Sequence, residues 1–396
     1  MAGPLSNLKV IELGTLIAGP YCARLLAEFG AEVVKVETPV TGDPLRKWRK
    51  LHEGNSLWWY AQARNKKSIA IDLKNAEGQA IVRRLAAAAD IFVENFRPGT
   101  MEKWGLGHDA LSRENPRLVM VRLSGFGQTG PYRDKPGFGA IGESMGGMRY
   151  ITGYPDRAPV RVGISIGDSL AAMFGVIGAL MAIHHRNSSG RGQVVDVALY
   201  EAVFAMMESM LPEYGAGGFV RERSGAALPG IVPSNTYPCR DGRFVVIGAN
   251  ADSIFKRMMR AIGRPDLADD PALANNEGRV RRTDELDRVI GEWTAAHDLD
   301  TVLEVLERAE VPSGRIYSIA DIAADLHYRA RGMIERHALG SGGEVLLPGL
   351  VPKMSETPGE TRWIGPRLGE HTDAVLAGAG YGAAEIAGLR ARGVIG

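Results

Sequence analysis

Apolar and polar positions in the first part of the chain alternate in short blocks that predict strands and helices in turn. The strand blocks are rich in Val, Ile and Leu, and turn residues such as Gly, Asn and Pro lie near their ends. The predicted strands are Leu8–Leu13, Ala31–Val36, Ser68–Leu73, Asp90–Glu94 and Leu118–Leu123, and the predicted helices are Ala23–Phe29, Ala76–Ala88 and one that closes at Leu111–Asn115. This alternation is typical of a parallel sheet with crossover helices. We therefore predict an α/β fold with a large lobe.

The pattern changes after about residue 225, which predicts a second, smaller α/β lobe over residues 226–325. Gly192–Glu201 predicts a strand and then a helix, and Glu213–Pro233 has the glycine-rich composition of a linker. Tyr237–Asn250 predicts a hairpin, because Asp-Gly at 241–242 is a favoured hairpin turn. Further helices are predicted at Ser253–Ile262, Asp284–Ala296, Leu299–Glu307, from Thr372, and at Ala384–Ala391.

The longest apolar run, Leu170–Ile183, follows a carboxylate at Asp168. The run is short for a membrane span, which needs about 20 apolar residues. Small residues such as Gly175 and Gly178 would let other backbone pack closely, so we predict a helix buried on all sides. Asp168 would lie at its start, where backbone N–H groups and the helix dipole keep a carboxylate ionised. It can serve there as an N-cap or as a nucleophile towards an acyl carbon.

Composition excludes several classes of partner. The 396 residues include 47 Lys plus Arg and 46 Asp plus Glu, so the net charge of +1 predicts neither a nucleic-acid nor a membrane partner. Cys22 and Cys239 lack metal or redox spacing, and no His or Cys motif predicts a metal site. No basic segment followed by an apolar core marks a signal peptide at the start, so we predict a cytoplasmic protein with reduced cysteines.

Two glycine motifs point to other chemistries. The G-x-G-x-x-G at 125–130 is followed by Pro131 rather than by a long helix, which favours a flexible loop near a ligand over a dinucleotide site. Gly163-Ile-Ser165-Ile-Gly167 matches the nucleophile elbow of hydrolases, with His371 downstream, and makes a serine hydrolase using Ser165 the rival mechanism. Two basic clusters, Leu45–Lys50 and Arg64–Lys67, are either solvated surface or phosphate-binding groups.

Several long blocks, in order along nearly the whole chain, resemble the class III CoA-transferases, which include formyl-CoA transferase and carnitine CoA-transferase. These blocks are VIELGTLIAGPYCARLLAEFGAEVVKVE, RNKKSIAIDLK, DIFVENFRPGTMEKWGL, SGFGQTGP, GDSLAAMFGVIGALMA, GRGQVVDVALYEAV and LGEHTDAVL. The resemblance implies that Asp168 attacks an acyl-CoA thioester and carries first an acyl group, as an anhydride, and then CoA, as a thioester. No ATP or metal is then required.

The resemblance also implies a CoA site and an architecture. The implied CoA contacts are Ala18, Gly19, Ile71, Asp72, Leu73, Lys74, Asn95, Phe96, Arg97, Lys103 and Phe138. The implied fold has a Rossmann-like large lobe of residues 1–225 and 326–396, with its parallel sheet formed from both chain ends, and a small lobe of 226–325. Two such subunits would interlock as an obligate homodimer of open rings.

Positions at which this chain departs from the family pattern restrict the choice of substrate acid. Formyl-CoA transferase has Gln at the position of Ile17, Arg at Thr38, and a glycine-rich flap where this chain has 247–253, which argues against formate or oxalate. The related α-methylacyl-CoA racemases have a histidine base at Phe138, so racemisation is the less favoured alternative. The RNKKSIAI and YITG blocks resemble the dicarboxylate transferases that use succinyl-CoA.

The acyl-CoA donor predicted from this resemblance is succinyl-CoA, and the predicted acceptor is a small carboxylic acid, with a dicarboxylic acid favoured. Arg64, Arg149 or Arg161 would bind the second carboxylate, although all three can be structural. A non-catalytic CoA-binding protein is the remaining alternative.

Overall fold

The chain divides into two structural units. The computed structural model describes residues 3–340 and 342–396. One unit contains Met1–Arg149, Val162–Phe219 and Arg329–Gly396, and the second contains Tyr150–Arg161 and Val220–Tyr328. The larger unit thus contains both ends of the chain.

Short strands are distributed along both units. In chain order they are β1 Lys9–Glu12, β2 Glu32–Glu37, β3 Leu51–His52, β4 Asn55–Ser56, β5 Lys66–Ala70, β6 Ile91–Glu94, β7 Val119–Ser124, β8 Val194–Ala198, β9 Ser234–Pro238, β10 Phe244–Gly248, β11 Ser313–Arg315, β12 Ile334–Ala338 and β13 Glu344–Pro348.

Helices connect these strands. In chain order they are α1 Ala18–Glu28, α2 Leu57–Gln62, α3 Ala76–Ala87, α4 Thr100–Lys103, α5 His108–Glu114, α6 Gly139–Met145, α7 Met148–Ile151, α8 Ile166–Ser189, α9 Leu199–Phe204, α10 Met210–Gly217, α11 Asp252–Ala261, α12 Pro265–Ala268, α13 Asn276–Arg281, α14 Thr283–Ala295, α15 Leu299–Arg308, α16 Ile319–Ala324, α17 Leu326–Ala330, α18 Thr372–Gly378 and α19 Ala383–Ala391, with 3-10 helices at Pro44–Lys47 and Pro271–Leu273.

A six-stranded sheet forms the centre of the larger unit. Its order is β5-β2-β1-β6-β7-β8 and every neighbouring pair is parallel. From the centre of the sheet, β1, β2 and β5 follow one another towards one edge, and β6, β7 and β8 follow one another towards the other edge. The order in which the chain adds strands therefore reverses between β1 and β6. Open α/β sheets bind ligands at the carboxyl ends of the strands at such a reversal.

The predicted α/β fold is confirmed, and the strand blocks read from the sequence match β1, β2, β5, β6 and β7 within a few residues. All six strands of the sheet come from residues 9–198. The C-terminal segment therefore adds no strand to this sheet. It packs on the large unit through α18 and α19, an antiparallel bridge joins Ile395 to Ile71, and Pro366 accepts hydrogen bonds from Arg46 and Trp59. Leu376, Ile386 and Leu389 bury the apolar faces of these two helices in the core.

Helix α8 is longer than predicted and is buried on one side only. Its small residues face the sheet, where Gly175 lies against Cys22 of α1 and Val121 of β7. Larger apolar side chains lie on the other side, and Met173 and Met181 are 41% and 67% exposed. The prediction of a helix buried on all sides is wrong for the single chain, because small and large apolar residues occupy opposite stripes. Among the described residues it is the one helix apolar and long enough to cross a membrane, a property that core helices share.

The smaller unit has an antiparallel sheet of order β11-β10-β9. Its core includes Phe255, Leu286 and Leu306 from the helices α11, α14 and α15. The predicted hairpin is confirmed between β9 and β10. The predicted linker after Glu213 is wrong in its first part, because α10 continues to Gly217 before irregular backbone begins.

Three cations of the two basic clusters are buried inside the larger unit. Arg46 pairs with Glu37, and both Arg64 and Lys66 are 0% exposed. Arg64 pairs with Glu28 at 2.7 Å and donates to a backbone oxygen at 2.9 Å. These three residues are therefore structural cations, and neither of the two roles considered for the clusters applies to them.

Candidate active site

The segments singled out for CoA follow the carboxyl ends of three parallel strands. Gly14–Pro20 follows β1, Ile71–Lys74 follows β5, and Asn95–Lys103 follows β6. Helix α8 lies in the crossover between the parallel strands β7 and β8. A crossover helix runs opposite to its strands, so it begins at their carboxyl ends. The first turn of α8, with Asp168, therefore lies at the same edge of the sheet as these segments.

Asn95 joins two of the predicted CoA segments. Its side-chain oxygen accepts a hydrogen bond from the Thr15 N–H at 2.8 Å, and its amide donates to the Thr15 carbonyl at 2.9 Å. A Cβ on Gly19 would lie 2.9 Å from the Gly14 Cα and 3.3 Å from the Asn95 Cγ. The structure thus brings Ala18, Gly19 and Asn95 together at the reversal between β1 and β6.

The Ile71–Lys74 turn is held by its backbone. Ile71 is buried in the core, and the Asp72 N–H donates to the Val394 carbonyl at 2.9 Å. Asp72 in turn accepts the Lys74 N–H at 2.9 Å, Leu73 is partly buried against the core, and the Lys74 side chain is exposed. Lys74 is thus available to a ligand, whereas Ile71 can contribute only its backbone.

A buried ion pair supports the turn after β6. Glu94 accepts the Phe96 N–H at 2.7 Å and binds the Arg122 Nε at 2.7 Å. Arg122 also binds Glu102 of α4. Burial raises the pKa of the Glu94 carboxyl from 4.5 to about 7, against the opposing attraction of Arg122. This arrangement ties the start of the turn to α4.

Two exposed cations lie beyond this turn, Arg97 and Lys103. Strands β5 and β6 are separated by β2 and β1, so the strand ends that precede Lys74 and this pair are about 14 Å apart. The three cations follow different strand ends, along an edge that suits an extended anionic ligand.

Asp168 lies in the first turn of α8 and is not its N-cap, a position that Ser165 occupies. The Asp168 carboxylate lies directly against Gly139, the first residue of α6. A Cβ on Gly139 would be 2.8 Å from the Asp168 Cγ and nearer still to Oδ2. Phe138, immediately before Gly139, is 70% exposed beside this point. The absence of a side chain at residue 139 therefore makes room for the carboxylate.

Glu143 and Arg149 lie next to the start of α8. Glu143 is 1% exposed, and its Cγ would be 3.2 Å from a Cβ on Gly167. The Arg149 guanidinium lies 3.7 Å from Glu143 Oε2. Sequence reasoning missed Gly139 and Glu143 as part of the site. The one signal available was their place in the GFGAIGE segment directly after Phe138.

The alternative based on Ser165 lacks the geometry it needs. A nucleophile elbow requires a strand that enters the serine turn, and residues 152–165 form no strand. His371 accepts a hydrogen bond from the backbone N–H of Ser68 at 3.3 Å, on β5. Burial raises the pKa of the Cys22 thiol to about 12, so it stays protonated and is a poor nucleophile.

The segment 247–253, which stands where formyl-CoA transferase has its glycine-rich flap, is tied to its own unit. Its Ala249 N–H donates to the Pro233 carbonyl at 3.0 Å, and fully buried Arg279 binds the Asn250 carbonyl and Asp252. In residues 3–340 and 342–396, no three His, Cys, Asp or Glu side chains are grouped to hold a metal ion.

Comparison with known proteins identifies the family. The model of "CoA-transferase family III" matches residues 5–372. The chain belongs to CoA-transferase family III. The protein is therefore an enzyme that transfers CoA, with CoA thioesters as substrates.

Individual family members are similar over nearly the full length. A succinyl-CoA–D-citramalate CoA-transferase from Chloroflexus aurantiacus is 54% identical over 93% of this chain and 92% of its own. A succinate–glutarate CoA-transferase from Agrobacterium fabrum is 36% identical over 94% and 95%. The crystal structure of a CAIB/BAIF family protein from Brucella suis matches this family III chain with a TM-score of 0.85 and 34% identity, over 96% and 100%.

Proposed function

We propose that this enzyme moves CoA from succinyl-CoA to a small dicarboxylic acid, with Asp168 as the covalent nucleophile. The observation that carries the proposal is the Asp168 carboxylate in the first turn of α8, seated against Gly139 at the carboxyl edge of the sheet. The names of the similar transferases, which pair succinyl-CoA or succinate with citramalate, malate or glutarate, support the choice of acids.

The proposed reaction consists of four acyl transfers. An Asp168 oxygen attacks the thioester carbon, CoA leaves as a thiolate, and an aspartyl-succinyl anhydride forms. The thiolate then attacks the aspartyl carbonyl, which releases succinate and leaves CoA on Asp168 as a thioester. The acceptor carboxylate attacks this thioester, the C–S bond breaks, CoA leaves again as a thiolate and a second anhydride forms; the thiolate then attacks the acceptor carbonyl. The new acyl-CoA leaves, the Asp168 carboxylate is restored, and the energy of the thioester is conserved.

Of the three arginines considered, Arg149 is the best candidate for the second carboxylate of the acids. Arg64 is 0% exposed and is already bound to Glu28. The Arg149 side chain is 32% exposed, and its Nε has no hydrogen-bond partner among the described residues. Its ion pair with Glu143 is long, so the exposed part of the guanidinium can bind a ligand carboxylate in addition.

The proposed working form is a cytoplasmic homodimer. The exposed apolar stripe of α8 supports a second copy, since Met173, Ile177, Leu180 and Met181 are all 39% exposed or more and share one helix face. A contiguous apolar surface of this kind is more often part of a protein interface than a surface exposed to solvent.

The nucleophile is tested by trapping the intermediate. We expect wild-type protein incubated with succinyl-CoA and then borohydride or hydroxylamine to carry a modification at residue 168, identified by peptide mass spectrometry. Asp168→Asn should abolish transfer and labelling while the protein stays folded. Asp109→Asn is the matched control, because Asp109 also lies in the first turn of a helix but is fully exposed. Full transfer by Asp168→Asn would refute the mechanism.

The substrates are tested with a panel of acyl-CoA donors and acids, read by mass spectrometry. A racemase would instead exchange the α-hydrogen of a 2-methylacyl-CoA with solvent deuterium and form no new CoA ester. Arg149→Leu should raise the KM of dicarboxylic acids and leave that of a monocarboxylic acid unchanged. An equal effect on both kinds of acid would exclude the assigned role of Arg149.

A further inference from the structure

The loop between β1 and α1, residues 14–20, has a backbone conformation that needs support. Leu16 has φ +63°, in the left-handed region that a branched non-glycine side chain rarely adopts. Such conformations persist where surrounding contacts over-determine them, and they concentrate at functional sites. The loop also lies at the reversal between β1 and β6, and Asn95 already holds Thr15 there.

Four buried side chains from four other places in the chain bind the backbone of this loop. We call them the loop clamp: Lys35, which donates to the Gly14 carbonyl at 2.8 Å; Asp43, which accepts the Leu16 N–H at 3.0 Å; Gln62, which donates to the Ile17 carbonyl at 3.1 Å; and Lys66, which donates to the Pro20 carbonyl at 2.6 Å. None of the four is more than 2% exposed.

The charged members of the loop clamp are bound to one another. Buried Glu12 lies 2.8 Å from the Lys35 ammonium and 2.7 Å from that of Lys66, and Asp43 lies 2.9 Å from Lys35. Well-packed apolar residues often stabilise an interior as well as a buried ion cluster does. Stability alone therefore does not account for the cluster. What the cluster does in particular is to hold the loop backbone in one conformation.

We propose that the loop clamp positions Ile17, Ala18 and Gly19 for binding of the CoA thioester. The inference rests on the proposed function, since it needs a thioester at this edge of the sheet. The clamp residues are positioning residues: they are too buried to touch the substrate, and they act through the loop. A rigid loop binds without an ordering cost, whereas a loosened loop loses affinity or misplaces the reacting carbonyl.

Gln62→Met tests the proposal with little disturbance to the core. Methionine keeps the unbranched shape of glutamine but cannot donate to the Ile17 carbonyl. That carbonyl still accepts the Tyr21 N–H at 2.7 Å, so no buried acceptor is left unpaired. Asn115→Leu is the matched control, because Asn115 also donates from its amide to backbone carbonyls, those of Ala86 and Ala89, close before the amino end of β7.

We expect Gln62→Met to raise the KM of succinyl-CoA and the Kd of free CoA by about tenfold, with the KM of the acid nearly unchanged. Asn115→Leu should change the melting temperature at least as much but leave both CoA values at the wild-type level. Asp43→Asn, which removes the charge facing Lys35, should repeat the Gln62→Met result and serves if that variant does not fold.

The outcomes separate this proposal from the function. Wild-type protein that transfers no CoA would refute the proposed function. If the wild type is active and the folded clamp variants keep wild-type CoA affinity, the function stands and the loop clamp does not position the substrate. An equal loss of CoA affinity in Asn115→Leu would also overturn the proposed role of the loop clamp, because the loss of affinity would then result from general destabilisation.

Discussion

The contact between Gly139 and Asp168 leads to a sharp prediction about Gly139→Ala. The new methyl carbon would lie 2.8 Å from the Asp168 Cγ, whereas an ordinary contact begins at 3.4 Å. The Asp168 side chain is short and starts from a packed helix, so the carboxylate rather than the backbone must move. Its Cγ has to retreat by about 0.6 Å, and its Oδ2, which is nearer to the methyl, by on the order of 1 Å.

A displacement of this size is costly for a covalent nucleophile. Misplacing a reacting group by about 1 Å costs about 100-fold in rate, which corresponds to about 2.7 kcal/mol of transition-state stabilisation. The clash should lower stability by about 1–3 kcal/mol at most, and part of this is offset because Gly139 does not have positive φ and alanine is a better helix former than glycine. The variant should therefore be folded and nearly inactive.

Steady-state transfer of CoA and thermal unfolding together check this expectation. Gly378→Ala is the matched control, since Gly378 also lies in a helix, does not have positive φ, and has open space where its Cβ would be. The control should keep wild-type activity. Retention of more than about half of the wild-type kcat by Gly139→Ala would show that the reaction does not depend on the observed seat of the Asp168 carboxylate.

Three further predictions concern the pH dependence of stability, the oligomeric state, and CoA binding by the loop between β1 and α1. The pKa of Glu94 is raised to about 7, so between pH 4.5 and 7 the folded protein holds a proton that the unfolded chain releases, and stability falls as pH rises. Glu94→Gln should thus gain stability relative to wild type across that window, measured by urea unfolding. Met181→Asp should convert the proposed dimer to monomer in sedimentation, since it puts a charge in the exposed apolar stripe of α8. Gly19→Ala, with its Cβ 2.9 Å from Gly14, should weaken CoA binding by about tenfold in calorimetry.

Each of these has a clear contrary result. A stability difference between Glu94→Gln and wild type that does not change with pH would mean that Glu94 is ionised throughout. A dimeric Met181→Asp protein would place the interface elsewhere. Unchanged CoA affinity in Gly19→Ala would mean that the loop after β1 does not contribute to CoA binding.

The sheet could be predicted from the sequence because its signal is local. Strands buried on both faces appear as continuous Val and Ile runs, such as Ala31–Val36, and helices between them carry their own periodicity. The resemblance of the sequence blocks to the family then predicted Asp168 as the nucleophile and the CoA contacts, and these assignments stay predictions. Helix starts were less accurate: α1 begins at Ala18 rather than Ala23, because Pro20 is tolerated in a first turn.

The support of the site could not be predicted, because it depends on contacts between residues distant in sequence. Lys66 lies in a basic RNKK cluster, and no local pattern indicates that it is fully buried and bound to Glu12 and the Pro20 carbonyl. Its burial follows from the pairing of β5 beside β2, which only the fold determines. The same holds for Gly139, whose role arises where α6 meets the first turn of α8.

The error about α8 has a different origin. A helix that is apolar around its whole circumference is expected to be buried on every side in the assembly in which it functions. The sequence carries that requirement, but it does not say which chain provides each contact. In the single chain, the small residues of α8 meet α1 and β7, while Met173 and Met181 remain exposed. The prediction of burial on all sides and the observed one-sided burial are compatible if a second copy covers the remaining stripe, and Met181→Asp tests that explanation directly.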